Sequence, residues 1–216
     1  CLTRSEVRRL IMRGCVKIDG KPAKKADTKI DPDAVEVTLF GEKVLYNKFV
    51  YIMLNKPAGV LSAATDKSRE TVVDLVPPEL YRKGLFPVGR LDKDTTGLLL
   101  ITDDGDFAHY VISPKSGLDK RYSVVLDGDV TEEIVEAFKN GVTLADGTKC
   151  LPAVLTYDKD NPTHASVVIQ EGKYHQIKRM FGVVGLGVNK LKRISIGSFS
   201  LPEDLPEGGF AERTQV

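Results

Sequence analysis

The amino-acid sequence predicts an α+β protein whose larger part is a mixed, largely antiparallel sheet flanked by helices. Three observations support this class. Apolar runs of strand length recur along the chain, and they follow one another in pairs with few helices between them. The helical segments that do occur carry their own start and stop signals. No internal repeat or low-complexity segment is present among the 216 residues.

The first forty residues predict a small helix-and-hairpin unit. Thr3 and Glu6 fit a capping box, apolar residues then recur at helical spacing, and Gly14 ends the helix. A short strand over residues 15–18 runs into Asp19-Gly20, a strong hairpin signal, and residues 35–40 form a further strand. The polar connection at residues 41–48 is the best boundary. We therefore predict domains over residues 1–44 and 45–216.

The sequence of the second domain predicts several strands, with turns and three helices between them. Thr131 is expected to cap one helix with its side chain, and Gly141 to end it. Residues 171–184 are a turn that runs into a helix, and residues 71–75 are a short helix or turn before two prolines. The predicted strands are residues 49–55, 98–101, 122–126, 154–157 and 165–169, with two more over 188–201, and the other helix is 103–112.

The overall composition is that of an ordinary globular protein, but the charge is unevenly distributed. Residues 1–30 carry nine Lys or Arg against three Asp or Glu, a net charge of +6. Because the whole chain carries +1, residues 31–216 carry −5. A basic end on an otherwise acidic chain suggests a module that meets a polyanion, although a solvated helix face has the same composition.

The sequence contains neither a run of apolar residues long enough to span a membrane nor a signal peptide, so we expect a cytoplasmic protein. The three cysteines, Cys1, Cys15 and Cys150, lack zinc-binding spacing and an even count, which favours reduced thiols. The first residue is Cys1 and not Met, and a helix begins almost at once. We therefore expect that the natural N-terminus lies further upstream.

Residues 89–102, GRLDKDTTGLLLIT, are the most informative stretch. Arg90, Asp92 and Asp94 occupy a polar half, and an apolar run of strand length follows Gly97. A buried strand thus anchors a polar loop that carries an arginine and two carboxylates. A rigid element of this kind fixes catalytic groups more tightly than a free loop.

Three kinds of chemistry compete for the two carboxylates. Asp92 and Asp94 copy the first half of a calcium-binding EF-hand loop, but the twelfth position is Asp103 where Glu is expected, and a strand follows where the loop should continue. A glycosidase-like carboxylate pair is a second, weaker alternative, because the sequence shows no aromatic sugar platform. The third is a single nucleophilic carboxylate supported by groups elsewhere in the chain.

Four motifs favour the third alternative. GRLDKDTTGLLLIT resembles the signature of pseudouridine synthases, and Lys120-Arg121-Tyr122 resembles their second motif. EGKYHQIKRM, residues 171–180, resembles the third, and NKPAG, residues 55–59, also fits. The pattern RxxVxxLIxxGxVxIDGK in residues 4–21 resembles an S4-type RNA-binding domain whose first helix is missing. Together they resemble the small-ribosomal-subunit pseudouridine synthase A family.

The resemblance implies roles for individual residues. Asp92 would be the nucleophile, attacking either the uracil ring or the ribose C1′ of a uridine flipped out of the RNA. Tyr122 would pack against the flipped base and help remove the C5 proton. Lys178 stands where relatives often have arginine, and its charge would favour the ionised Asp92. The reaction needs no metal, nucleotide or redox cofactor.

Further residues are expected to contact RNA. Arg90 would contact phosphate or fill the space left by the flipped base, and Leu191 would line the uracil pocket. Asp94 is expected only to hydrogen-bond its own loop, and His175 to be structural. The remaining predicted RNA contacts are basic residues of the third motif and of the first helix, Lys173, Arg179, Arg4, Arg8 and Arg9.

The expected function is therefore isomerisation of a uridine in small-subunit ribosomal RNA, with free RNA or an assembling small subunit as substrate. We expect a monomer that has no membrane partner. An S4-type RNA-binding protein without catalytic activity is the main alternative. The set of Asp92, Tyr122 and Lys178 argues against that alternative, because a protein that only binds RNA needs no nucleophile.

Overall fold

The computed structural model describes residues 2–32, 34–44 and 46–212, so Cys1 lies outside the described residues. The chain forms two compact units, Cys1–Lys48 and Phe49–Val216, against a predicted boundary between residues 44 and 45. In the described part of the chain, no helix is both long and apolar enough to cross a bilayer.

Among its described residues, the first unit contains one helix and a four-stranded antiparallel sheet in the order β2-β1-β3-β4. The predicted capping box is present, because the Thr3 hydroxyl accepts from the Glu6 N–H and the Glu6 carboxylate accepts from the Thr3 N–H. Strand β4 lies in the predicted connection; two polar residues give no alternating pattern that could reveal it. The elements are α1 (Arg4–Met12), β1 (Val16–Ile18), β2 (Lys21–Pro22), β3 (Val37–Leu39) and β4 (Glu42–Lys43).

The second unit contains a mixed sheet of nine strands among the described residues. Its main path runs β13-β5-β7-β11-β8-β10-β9, with β6 paired to β7 and β12 paired to β11. The strands are β5 (Tyr51–Lys56), β6 (Phe86–Pro87), β7 (Thr96–Thr102), β8 (Lys120–Leu126), β9 (Val154–Tyr157), β10 (His164–Ile169), β11 (Val188–Ile196), β12 (Phe199–Ser200) and β13 (Phe210–Glu212). The helices are α2 (Gly105–Ile112), α3 (Glu132–Asn140) and α4 (Gln176–Val183), with a 3₁₀ turn at Pro114–Ser116.

The predicted class is confirmed: β7 and β11 run parallel, and the other strand pairs of the described residues are antiparallel. Thr131 is the N-cap residue of α3 and Gly141 follows its last turn, as predicted, but the expectation of a hydrogen bond between the Thr131 side chain and the helix backbone is wrong. The Thr131 hydroxyl donates to the Glu133 carboxylate at 2.7 Å and does not accept from the helix backbone. Strands β6 and β13 were not predicted, because they are short and lack alternation.

Strand β7 lies between β5 and β11, with both of its faces covered. Leu99 and Ile101 pack into one apolar cluster together with α4, and Leu98 and Leu100 pack into a second cluster together with α2. Burial on both faces explains why this strand reads as a continuous apolar run. The polar loop that precedes β7 is therefore attached to the centre of the core.

Candidate active site

The polar loop of residues 89–95 leads into β7, whose second residue, Gly97, has a φ of +98°. A Cβ at this position would collide with the backbone carbonyl of Arg193 on β11. Only glycine permits both this conformation and this close approach, so Gly97 sets how near the loop lies to β11.

Backbone contacts fix the shape of the loop. The Gly59 N–H donates to the Lys93 carbonyl at 2.7 Å, and the Thr95 N–H donates to the Asp92 carbonyl at 3.1 Å. The Ser62 hydroxyl donates to the Leu91 carbonyl at 2.9 Å and accepts from the Leu91 N–H at 3.1 Å. These bonds hold the segment on both sides of Asp92.

Lys56, at the end of β5, is fully buried beneath the loop. Its ammonium group donates to the carbonyls of Pro57 at 2.9 Å, Lys93 at 3.3 Å and Thr95 at 3.1 Å. Burial lowers the Lys56 pKa to about 8, against the opposing effects of Asp94 and Asp92. The sequence predicts no such role for Lys56; the signals available were its position in the NKPAG motif and at the end of a buried strand.

Asp92 is held between two side chains of the third motif. Its Oδ2 lies 3.6 Å from Lys178 Nζ, and its Oδ1 lies 3.5 Å from His175 Nε2. The carboxylate remains partly open to solvent, with 28% of the side chain exposed. A carboxylate that is held in place yet accessible is suited to nucleophilic attack.

Asp94 departs from its expected role. It accepts a hydrogen bond from Lys178 Nζ at 2.6 Å, whereas the Asp92 carboxylate lies 3.6 Å from the same nitrogen. The Asp94 side chain is 73% exposed. This hydrogen bond lowers the Asp94 pKa below its usual value. The expectation that Asp94 serves only its own loop is therefore wrong.

The lowered pKa of Asp94 makes this residue unsuited to the general-acid role in the glycosidase-like alternative, because a general acid must hold its proton until it protonates the leaving group. The calcium-binding alternative meets a separate obstacle. Residues from Thr96 onward form β7 and are paired to β5 and β11, so they do not continue a metal-binding loop.

One cleft brings the predicted catalytic residues together. Asp92 and Lys178 line it together with Tyr122 from β8 and Leu191 from β11. Tyr122 is 7% exposed, and β8 and β11 are neighbouring strands, with Tyr122 opposite Arg193. The cleft thus combines a carboxylate and a cation with apolar walls, an arrangement suited to a flat, uncharged ring. Its other lining residues are Arg90, Leu91, Thr95, Ile169, Gly172, Lys173, His175, Gln176 and Ile177.

The turn before α4 is braced by Glu171, which is 8% exposed. Its carboxylate accepts from the Leu151 N–H at 2.9 Å and from Gln176 Nε2 at 2.7 Å, and it pairs with Lys173. Gln176 Oε1 in turn accepts from the Lys173 N–H at 2.9 Å. The turn that carries His175 is thus rigid.

His175 adopts a left-handed backbone conformation, with φ of +48° and ψ of 34°. This conformation is uncommon for a residue with a side chain, and histidine is among those that adopt it more readily. It directs the ring towards Asp92. The sequence predicts a structural role for His175. The signal for a place beside Asp92 was its position in the third motif, two residues after Lys173.

The predicted RNA contacts occupy different environments. Arg90 is exposed at the cleft, without an ion pair among the described residues. Arg179 lies outside the cleft lining; it pairs with Asp146 and donates to the Tyr174 carbonyl at 3.3 Å. Three further arginines, Arg4, Arg8 and Arg9, are exposed on α1 in the first unit.

Comparison with known proteins places this geometry in a family context. The family model described as RNA pseudouridylate synthase matches residues 50–182, and that of the S4 domain matches residues 1–35. A crystal structure of a pseudouridylate synthase is 35% identical, with a TM-score of 0.70 over 99% of this chain and 91% of that chain.

Three curated relatives are similar over most of their length. The uncharacterized RNA pseudouridine synthase YtzG of Bacillus subtilis is 46% identical, over 99% of this chain and 90% of the relative. Ribosomal small subunit pseudouridine synthase A of Escherichia coli is 38% identical over 93% and 86% of the two chains. Ribosomal large subunit pseudouridine synthase B of Bacillus subtilis is 39% identical over 88% and 79%.

Proposed function

The chain belongs to the RNA pseudouridylate synthase family, and from that premise we propose that it converts a specific uridine of small-subunit ribosomal RNA to pseudouridine, with Asp92 as nucleophile. The observation that carries the assignment of residues is the single cleft lined by Asp92, Tyr122, Lys178 and Leu191. The similarity to ribosomal small subunit pseudouridine synthase A over 93% of this chain supports the small-subunit target.

The reaction begins when the target uridine leaves its stack and enters the cleft. Asp92 attacks either the uracil ring or the ribose C1′, and the bond between C1′ and N1 breaks. The base turns within the cleft, C1′ bonds to C5, and the bond to Asp92 breaks to release the carboxylate. The proton on C5 leaves, and N1 gains a proton. Since product and substrate are isomers, the balance needs no oxidant, reductant or other reactant.

The lining residues divide this work. Lys178 Nζ lies 3.6 Å from the Asp92 carboxylate and supplies a positive charge beside the nucleophile. Tyr122 packs against the base and assists removal of the C5 proton, while Leu191 forms an apolar wall. Arg90 contacts a phosphate or fills the space that the base vacates, and its exposed position suits either role. Lys173 and Arg179 bind phosphate only if RNA draws them away from Glu171 and Asp146.

The first unit supplies sequence-independent affinity. It carries the S4 match and the net charge of +6 over residues 1–30, and Arg4, Arg8 and Arg9 are exposed on α1 for phosphate contacts. We also propose that the enzyme acts as a monomer. A ribosomal RNA substrate, free or in an assembling subunit, places it in the cytoplasm.

The test is to map pseudouridine in both ribosomal RNAs from cells that lack the protein, using a pseudouridine-specific reagent and reverse-transcription stops. We expect one small-subunit position to lose its mark. Wild type and Asp129→Asn, which alters an exposed carboxylate elsewhere, should restore it, and Asp92→Asn should not. A lost mark in large-subunit RNA would refute the small-subunit target. Full restoration by Asp92→Asn would refute the assignment of Asp92 as nucleophile. No lost mark at all would refute ribosomal RNA as the substrate.

A further inference from the structure

The rings of Tyr174 and His175 stack on each other beside the cleft. Their centroids are 3.8 Å apart and their planes differ by 18°. Tyr174 is 75% exposed, so its ring packs against little of the protein besides His175. A flat aromatic face of this kind does not contribute to the core. Tyr174 follows Gly172 and Lys173 in the sequence, and both of these residues line the cleft.

The stacked pair is connected to the nucleophile. His175 Nε2 lies 3.5 Å from Asp92 Oδ1, while the same ring carries Tyr174 on its face. A group that stacks on the outer face of Tyr174 would therefore lie one ring away from a side chain that contacts Asp92.

We propose that the exposed face of Tyr174 stacks an unpaired RNA base that neighbours the target uridine. The proposal rests on the proposed function for the identity of that uridine. When a nucleotide is flipped, its two neighbours lose a stacking partner. An aromatic ring that replaces this partner lowers the cost of flipping, and any base has a face that such a ring accepts.

The platform is organised before RNA arrives. The turn is braced by Glu171 and Gln176, and the Arg179 guanidinium donates to the Tyr174 carbonyl at 3.3 Å. Because the backbone is already held, binding a base incurs little of the entropy loss that ordering a free loop would require. The exposed Arg90 at the cleft offers a cation for the adjoining phosphates.

The test measures binding of the full chain to a short single-stranded oligouridylate with 2-aminopurine beside one uridine, on the 5′ side in one probe and the 3′ side in another. For wild type we expect quenched emission with one of the probes. Tyr174→Ala should weaken binding of that probe about 5- to 140-fold and restore its emission. Tyr174→Phe, which keeps the ring, should bind within about twofold of wild type.

Tyr110 provides a matched control, because it is an exposed tyrosine on α2. Tyr110→Ala should leave both binding and emission unchanged. Equal binding and equal emission for Tyr174→Ala and wild type would overturn the proposal, as would weakened binding shared by Tyr174→Phe. The binding assay needs no turnover, so it is independent of the pseudouridine map. An empty map with Tyr174-dependent quenching would refute only the proposed function, whereas a lost mark without such quenching would refute only the platform.

Discussion

Lys178 Nζ lies 2.6 Å from Asp94 Oδ1 and 3.6 Å from Asp92 Oδ2, so one ammonium group bridges the two carboxylates of the polar loop. The shorter contact is made to the exposed carboxylate and the longer one to the carboxylate in the cleft. Asp94 therefore holds Lys178 in place, and Asp92 keeps a nearby positive charge without a tight hydrogen bond to it. This division separates the roles of two otherwise similar residues.

Tyr122 should affect chemistry more than binding. Tyr122→Phe keeps the ring in the cleft and removes the hydroxyl, so we expect nearly unchanged RNA affinity and a rate at least about 100-fold lower if the hydroxyl takes part in proton removal. Single-turnover kinetics at saturating enzyme measures that rate separately from binding. Tyr122→Leu should also weaken binding. A Tyr122→Phe enzyme as fast as wild type would refute the role in proton transfer.

Lys56 should make stability depend on pH in the alkaline range. Its pKa is about 8 in the folded protein and near 10.5 when unfolded, so between these values the unfolded chain binds more protons. Stability therefore rises with pH across this window, and the penalty of burying the charge is present in full below it. The total rise is about 3 kcal/mol.

Urea unfolding of wild type and Lys56→Met between pH 7 and pH 10.5 checks this. The difference between the two proteins isolates the lysine, because other groups titrate in both. We expect the free energy of unfolding of wild type to rise relative to that of the variant. A constant difference across the range would show that the pKa of Lys56 is the same in the folded and the unfolded protein, so that burial beneath the loop does not lower it.

Arg8 and Arg9 should contribute to affinity through phosphate contacts. Replacing both with Ala should raise the apparent KM, leave kcat unchanged, and reduce the slope of log K against log salt by about 0.7–0.9 for each phosphate that is no longer neutralised. Lys159→Ala, which removes an exposed charge from the second unit, is the control and should leave the slope nearly unchanged. An unchanged slope in the double variant would contradict RNA binding by α1.

Gly97 should tolerate no side chain. Gly97→Ala combines a φ of +98° with a collision against the Arg193 carbonyl, whereas Gly147 has a φ of +83° and open space around it. We expect Gly97→Ala to cost about 1–3 kcal/mol more stability than Gly147→Ala. Thermal unfolding of the two variants measures the difference. Equal destabilisation would mean that the approach of β7 to β11 adjusts freely.

Much of the fold could be predicted because its signals are local. The capping box of Thr3 and Glu6, the Asp19-Gly20 turn and the apolar run of β7 each lie within a few residues of one another. The short strands β4, β6 and β13 could not be predicted, since their pairing partners, and not their own two or three residues, define them.

In the site, the motifs indicated which residues matter but not how they pair. Lys178 and Asp94 are 84 positions apart, and no spacing rule predicts which of two neighbouring carboxylates a distant lysine contacts. Likewise, Lys56 is a lysine beside a proline in the sequence, and its contacts with the carbonyls of Lys93 and Thr95 exist only once the loop folds over it. Its burial could not be inferred from its polarity.

The most direct test compares Asp92→Asn with Asp94→Asn, two identical changes within reach of the same lysine. Mass spectrometry would quantify pseudouridine in ribosomal RNA treated with each purified enzyme. We expect no pseudouridine from Asp92→Asn and a rate within about fivefold of wild type from Asp94→Asn, because an exposed ion pair contributes about 1 kcal/mol or less. Pseudouridine formed by Asp92→Asn at the wild-type rate would contradict its role as nucleophile.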